Sequence, residues 1–548
     1  VFKWLKSGAP WIWLTGGAVS ISLLSVLGLL LLIGWKGLSY FWPAPLYQWT
    51  KNDGDILIGQ LYGEQSVSVD YLHQLEIKLP PSAQDKTQIE RLNIKVANRE
   101  LYPADFISIL DVDIESRTEP KDWAVIERTR SGDFYGKPIA YRDPEGREHS
   151  DFAPRLSEAM IVSDVVREEI QRVIAQEVKA ITSHASQLRL EKRKRELNNQ
   201  LDEDYVGRYN AQSQQFSQQL SLAEAKLDDL RGELTDQGLV VEDMTGQRVF
   251  LPLSHILDIW FPNQMSLTDK GLHWFKQAWK FLSENPRESN SEGGVFPAMF
   301  GTVLLVLIMS VIVMPLGVIA AIYIHEYAKN NLFTRIIRVA VINLAGVPSI
   351  VYGVFGLGFF VYTLGASIDN IFYADQLPTP TFGTPGLLWS ALTLAVLTLP
   401  VVIVATEEGL SRIPVSVRHG SLALGATQFE TMWRIVLPMA SPAIITGLIL
   451  AVARAAGEVA PLMLVGAVKL ASSLPVDGQF PYLHLERKFM HLGFHIYDVG
   501  FQTTNIESAR PLVYATSFLL VTVIVGLNLT AISIRNNLRE KYRTLGQD

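Results

Sequence analysis

Residues 418–438 read RHGSLALGATQFETMWRIVLP, a polar stretch between two apolar runs that are each long enough to cross a bilayer. Gly425 closes one short helical run, because glycine accepts the left-handed backbone that ends a helix. Thr427 and Glu430 then supply the T-x-x-E pattern of a capping box, which starts a second helix. That second run ends in Ile435-Val436-Leu437-Pro438, after which the chain enters hydrocarbon. Two short helices joined at a glycine and held outside the membrane read as a docking surface. Phe429 and Trp433, four apart, offer its apolar face to a groove on a partner.

Working outward, apolar runs long enough for a membrane helix of about 20 residues occupy 11–35, 296–324, 336–364, 387–405, 443–465 and 512–534. The first is preceded by Lys3 and Lys6 and followed by Lys36 and the cluster Phe41-Trp42-Pro43, which marks a retained anchor rather than a signal peptide. Basic residues collect in alternate connections: Lys329, Arg335 and Arg338, then Arg412, Arg418 and Arg434, then Arg535, Arg539, Lys541 and Arg543. By the positive-inside rule these connections and both termini are cytoplasmic. A charge of -7 over 548 residues argues against a nucleic-acid partner. The absence of cysteine excludes disulfides and thiolate metal sites. No G-x-x-x-x-G-K-[ST] occurs, so ATP and magnesium belong to another chain and no cofactor is expected on this one.

Residues 38–294 form an insertion between the first two spans, and a segment of that length escapes the charge rule. Short alternating runs between 55 and 142, among them Leu75–Leu79 and Phe106–Leu110, predict small antiparallel sheets. Residues 156–234 predict a helical hairpin, with Ile174, Val178, Ile181, Ala185 and Leu188 on one seam and Phe216, Leu220, Ala223, Leu227, Leu230 and Leu234 on the other. It is either a stalk packed on its own body or a partner-binding arm. Strands return from 239, and Leu272, Phe275, Trp279 and Leu282 suggest an interfacial amphipathic helix ending near 284. The expected fold is thus a mainly α membrane protein of six transmembrane helices, with an α+β domain at 38–294 and a helical membrane domain at 295–540 that carries the polar loop 406–440.

Two segments inside the spans bear on chemistry. Arg454 and Glu458 are one helical turn apart in ARAAGEVAP, and a charge inside a membrane helix costs at least about 2.5 to 3.5 kcal/mol. The pair is either a self-neutralising bridge that fixes packing or a cationic contact for an anion in transit. In LAGVPSIVYG, from Leu344, Pro348 should kink the helix and Ser349 lies where loosened backbone can meet an anion. Pro315 is a second kink. His491, His495 and Asp498 have a spacing that three metal ligands can use, but they lack the acidic groups that orient such ligands, and no metal is expected. His325-Glu326 lacks the second histidine of a zinc hydrolase motif.

The loop 406–440 resembles the "EAA" loop of type-1 ABC importer permeases, in which a glycine (here Gly425) precedes by ten residues the isoleucine of I-x-L-P (here Ile435, Leu437 and Pro438). Where that family has Glu-Ala-Ala this chain has His419-Gly420-Ser421. The segments PRESNSEGGVFPA from Pro286, Glu326-Tyr327-Ala328, LAGVPSIVYG and ARAAGEVAPL resemble, more narrowly, the PstA-type permease subunits of the phosphate-specific ABC importer. The resemblance covers the first span and everything from about Pro286 onward, and the insertion looks like that of longer relatives. It implies a multi-pass inner-membrane subunit with its large domain in the periplasm. Its partners would be a PstC-type permease, a pair of PstB-type ATPases that dock on the coupling loop, and a PstS-type phosphate-binding protein. Two other readings stay open: a type-1 permease for sulfate or molybdate, and a mechanotransmitting or sensory membrane protein.

Overall fold

The computed structural model describes residues 9–74, 87–287, 290–329, 331–503 and 506–544. Lys3, Lys6 and the alternating run Leu75–Leu79 lie outside them. The chain divides into one compact unit of residues 1–40 and 280–548 and another of residues 41–279.

Among the described residues, six helices in the first unit are long and apolar enough to cross a membrane: Trp11–Ser39, Phe296–Tyr327, Ser349–Phe372, Leu387–Ser411, Gln428–Gly457 and Ala509–Asn537. The fourth is the centre of the bundle, since 67% of its apolar window is buried against 28% for the second. It packs on the second and fifth through Leu305, Met309, Leu394, Val402, Ala451 and Ala455. Close approach to the fifth needs Gly447, where a Cβ would stand 2.6 Å from that of Ala405. The first span lies on the sixth, where a Cβ on Gly37 would meet the Tyr514 carbonyl oxygen at 2.9 Å.

Three boundaries differ from the sequence expectation. The run 336–364 is two helices rather than one kinked span. Leu332–Leu344 is a separate amphipathic helix, a turn follows through Gly346 and Val347, and a new helix starts at Ser349 with Pro348 as its N-cap. Proline has no N–H to continue the first helix and disfavours helical backbone at the residue before it. The Tyr352 hydroxyl donates to the carbonyl of Leu344 at 2.7 Å and so caps the interrupted end. The fifth span does not begin at 443. Its helix starts at Gln428, inside the docking loop, and passes Pro438 by a π-turn over Met432–Val436, with the Leu437 N–H reaching back to the Met432 carbonyl. It ends at Gly457, and Ala460–Val465 is a short helix of its own. Pro315, by contrast, lies within an unbroken helix, Phe296–Ile322.

The second unit holds two antiparallel sheets. In the first, Tyr47–Lys51 (β1), Ile56–Ser68 (β2), Gln88–Lys95 (β3), Phe106–Leu110 (β4) and Ile114–Thr118 (β5) run in the order β4-β3-β2-β1-β5. Trp49, Leu57, Leu92, Ile94 and Ile109 are buried on it. In the second, Ala124–Arg128 (β6), Phe134–Arg142 (β7), Glu148–His149 (β8), Gly238–Glu242 (β9), Arg248–Pro252 (β10) and Ile256–Trp260 (β11) run in the order β10-β9-β7-β6-β11, with β8 beside β7. The hairpin rises from this sheet. One limb is Phe152–Arg172 continued through Val173–Val178 into Lys179–Leu197, and the other is Glu203–Thr235. Its base, at Leu156, Ala159, Val166 and Leu234, joins the core of the sheet, whereas Lys179–Leu197 buries no residue.

The expected boundary at 294 moves to the last turn of the helix Leu267–Ser283. Residues 280–287 and 290–294 belong with the membrane unit, and the chain folds back on itself around them. Gly294 donates to Asn285, Val295 to Phe281 and Phe296 to Glu284, at 3.1, 2.8 and 3.2 Å.

Candidate functional site

The two segments singled out for chemistry meet in the bundle. Gly353, on the helix that follows Pro348, lies against Pro461 on the helix that follows Glu458, and a Cβ there would stand 2.7 Å from the Pro461 Cα. Arg454 occupies the last turn of the fifth span and Glu458 is its extended C-cap. The pair therefore closes across a helix end, with Nε to Oε1 at 3.5 Å, rather than along a continuous helix. A cation in the last turn also suits the helix dipole. Both side chains keep partial exposure, 32% for Arg454 and 20% for Glu458, so the guanidinium is not sealed into the core. Ser349 is half-buried at the start of its helix and Pro348 is exposed. The site is thus a seam between two interrupted helices that displays one guanidinium held by one carboxylate.

The two-helix loop expected to dock a partner is the second feature. Val415–Ala423 is its first helix, and Gly425 follows with a φ of +90°. The capping box is complete: Thr427 Oγ1 accepts from the Glu430 N–H at 3.2 Å, and Glu430 Oε2 accepts from the Thr427 N–H at 3.0 Å. This holds the Glu430 carboxyl below its usual range, chiefly through the backbone hydrogen bond from Thr427. Phe429 and Trp433 are 67% and 62% exposed and stack at 6.3 Å. His419 is exposed, while Ile435, Leu437 and Pro438 are half-buried beside a cluster that includes Leu410, Met432 and Val436.

Sequence reasoning missed the ties that bind this loop to the bundle. Arg418 pairs with Glu326 at 2.9 Å and donates to the Leu410 carbonyl at 2.8 Å. Arg338 pairs with Glu407 at 2.8 Å. In the sequence, Arg338 and Arg418 are visible only as flanking charges, and their carboxylates lie 69 or more residues away, beyond any local pattern.

His491 and His495 are buried, and burial pushes both rings down to about 4. The Lys469 charge adds to the effect at His495. Asp498 pairs with Lys469 at 3.1 Å. Among the described residues no three His, Cys, Asp or Glu side chains are grouped so as to hold a metal ion.

Six helices of membrane-crossing length, a two-helix loop and a partly exposed arginine at the end of the fifth span mark an integral membrane protein. Residues 313–543 match the family described as binding-protein-dependent transport system inner membrane component. The phosphate transport system permease protein PstA 1 of Mycobacterium tuberculosis is 33% identical over 244 residues, which cover 44% of this chain and 71% of the relative. The probable ABC transporter permease protein YqgI of Bacillus subtilis is 30% identical over 259 residues, 46% of this chain and 82% of the relative. The phosphate transport system permease protein PstA of Yersinia pestis is 30% identical over 251 residues, 46% and 75%. The chain belongs to the PstA-type permeases within this inner-membrane component family.

Proposed function

We propose that this chain is the permease subunit that carries inorganic phosphate into the cytoplasm, driven by ATP hydrolysis on a separate ATPase. The names and coverage of the PstA relatives carry the substrate, and the half-exposed Arg454, whose planar fork matches phosphate oxygens, gives it a chemical reason. The partners are a PstC-type permease that completes the pathway, two PstB-type ATPases and a PstS-type binding protein. ATP and magnesium are bound by the ATPases. The exposed ring pair Phe429 and Trp433 supports the loop as the ATPase contact.

Topology follows from counting. Three spans separate the unit 41–279 from the docking loop, which supports opposite sides of the inner membrane for the two. With the loop and both termini cytoplasmic, the inserted unit is periplasmic.

The test is ATP-dependent uptake of radiolabelled phosphate, sulfate and molybdate by the four-component transporter in proteoliposomes. Phosphate uptake that the other two oxyanions fail to compete supports the reading. Transport of sulfate or molybdate in its place overturns it.

A further inference from the structure

A cavity of about 700 Å³ opens at the docking-loop end of the bundle, walled by the second, fourth and fifth spans and the amphipathic helix Leu332–Leu344. Two of its lining residues tie it to the site above. Ala345 begins the turn that leads to Pro348 and Ser349, and Leu450 stands one helical turn before Arg454 on the same face of the fifth span. The cavity thus lies on the loop side of the Arg454 and Glu458 pair, with Leu450 as its nearest wall residue along the fifth span. Its walls are largely apolar, and Arg338 is the one Lys or Arg among the described residues that line it.

Arg338 repeats the construction seen at Arg454. Its Nη2 is held by Glu407 at 2.8 Å, its side chain is 41% exposed, and its Nε–H is enclosed without an acceptor among the described residues. The guanidinium is thus engaged on one edge and unsaturated on another. The remaining carboxylates at this end have cations of their own, Glu408 with Arg412 at 3.8 Å and Glu326 with Arg418 at 2.9 Å. His325 lines the same wall.

We propose that Arg338 is a second oxyanion station, which receives the anion from Arg454 on its way out through this cavity while Glu407 holds the guanidinium whenever the station is empty. The proposal rests on the permease reading above and adds to it a residue and a route. An oxyanion offers the same paired oxygens as a carboxylate and so displaces Glu407 from the fork. Competition from Glu407 keeps the station shallow, which transit requires, since an anion must leave as readily as it enters.

The chain has no cysteine of its own, so Leu450→Cys places one thiol in the cavity of the assembled transporter. Its modification rates by an anionic and a cationic methanethiosulfonate of similar size measure the local potential. Adding Arg338→Gln should lower the anionic-to-cationic ratio by roughly three- to tenfold, and Glu407→Gln should raise it by a similar factor. Because the two variants move the ratio in opposite directions, general misfolding cannot mimic the result. Inorganic phosphate should slow the anionic reagent in the Leu450→Cys protein and fail to do so once Arg338→Gln is added. A ratio that ignores both substitutions, or a Leu450→Cys thiol inert to both reagents, overturns the proposal. Protection by sulfate or molybdate but not phosphate would leave the station in place and overturn the substrate reading instead.

Discussion

Arg454 is held by Glu458 at a helix end and keeps partial exposure, and substitutions separate the two roles a membrane arginine can have. A bridge that serves only packing can be replaced by apolar side chains at little cost, because removing both partners leaves no uncompensated charge. Arg454→Met with Glu458→Met should therefore assemble normally whichever role holds. If the guanidinium meets substrate, that double variant transports nothing, Arg454→Ala is equally inactive, and Arg454→Lys falls roughly tenfold through loss of the planar fork. Phosphate uptake by the double variant at the wild-type rate would sink the permeation role.

His495 poses a different problem. Neither of its ring nitrogens has a hydrogen-bond partner among the described residues, and its folded value of about 4 lies below the ordinary 6.5. The unfolded chain thus takes up the proton first as pH falls. The stabilisation from keeping the ring neutral is complete above about 6.5 and is lost progressively as pH drops through about 4. The melting temperature of the detergent-solubilised protein should fall by several degrees on acidification across that window. His495→Leu should flatten the loss, since it removes the proton site and leaves no buried polar group unpaired. An unchanged acid profile in that variant would assign the sensitivity to other groups, of which His491 is the nearest in kind.

At the scale of elements, the docking loop was legible because its signals are local. Gly425, the Thr427 and Glu430 box and the Phe429 and Trp433 spacing all act within one or two turns of helix, where sequence determines geometry. Gly425 shows how little of that depends on crowding. A Cβ there would meet nothing within 4 Å, yet its φ is +90°. Gly425→Val then costs roughly 1–2 kcal/mol from backbone strain alone, and β-branching adds to it. The turn should relax and misalign the aromatic pair, so stimulation of the partner ATPase falls several-fold while membrane insertion is retained. Full stimulation in the variant would show that the angle between the two helices is immaterial to coupling.

The spans were legible in number and not in their ends, for a physical reason visible at two prolines. Apolar composition continues across Pro348 and across Pro438 alike. At Pro348 the chain turns through Gly346 and Val347, and Tyr352 caps the broken end. At Pro438 a π-turn absorbs the missing donor and the helix runs on. Hydropathy sees neither outcome, because both are decided by backbone hydrogen bonds rather than by burial. The pairs Arg338 with Glu407 and Arg418 with Glu326 escaped the sequence for a related reason, since only tertiary packing brings such distant residues to 2.8 and 2.9 Å.

At the scale of the whole molecule, the inserted unit 41–279 is tied to the membrane unit by chain at both ends, and its proposed periplasmic side rests on the number of spans that follow it. An odd number, three, lies between it and the docking loop. An even number would place both on the same face, so accessibility tests the proposed topology directly. Asp204 lies exposed in the first turn of the second limb of the hairpin, Asp228 has a side chain 78% exposed, and Leu424, beside Gly425, is 90% exposed. Since the natural chain contains no cysteine, Asp204→Cys, Asp228→Cys and Leu424→Cys each give one reactive thiol at a position where little packing is disturbed. In spheroplasts an impermeant maleimide should label the first two at once and the third only after the inner membrane is opened. Labelling of all three from outside would place loop and insertion on one face and contradict the three-span count. Labelling of the Leu424→Cys protein alone would invert the orientation, put the ATPase contact on the side without ATP, and remove the basis for an ATP-driven importer.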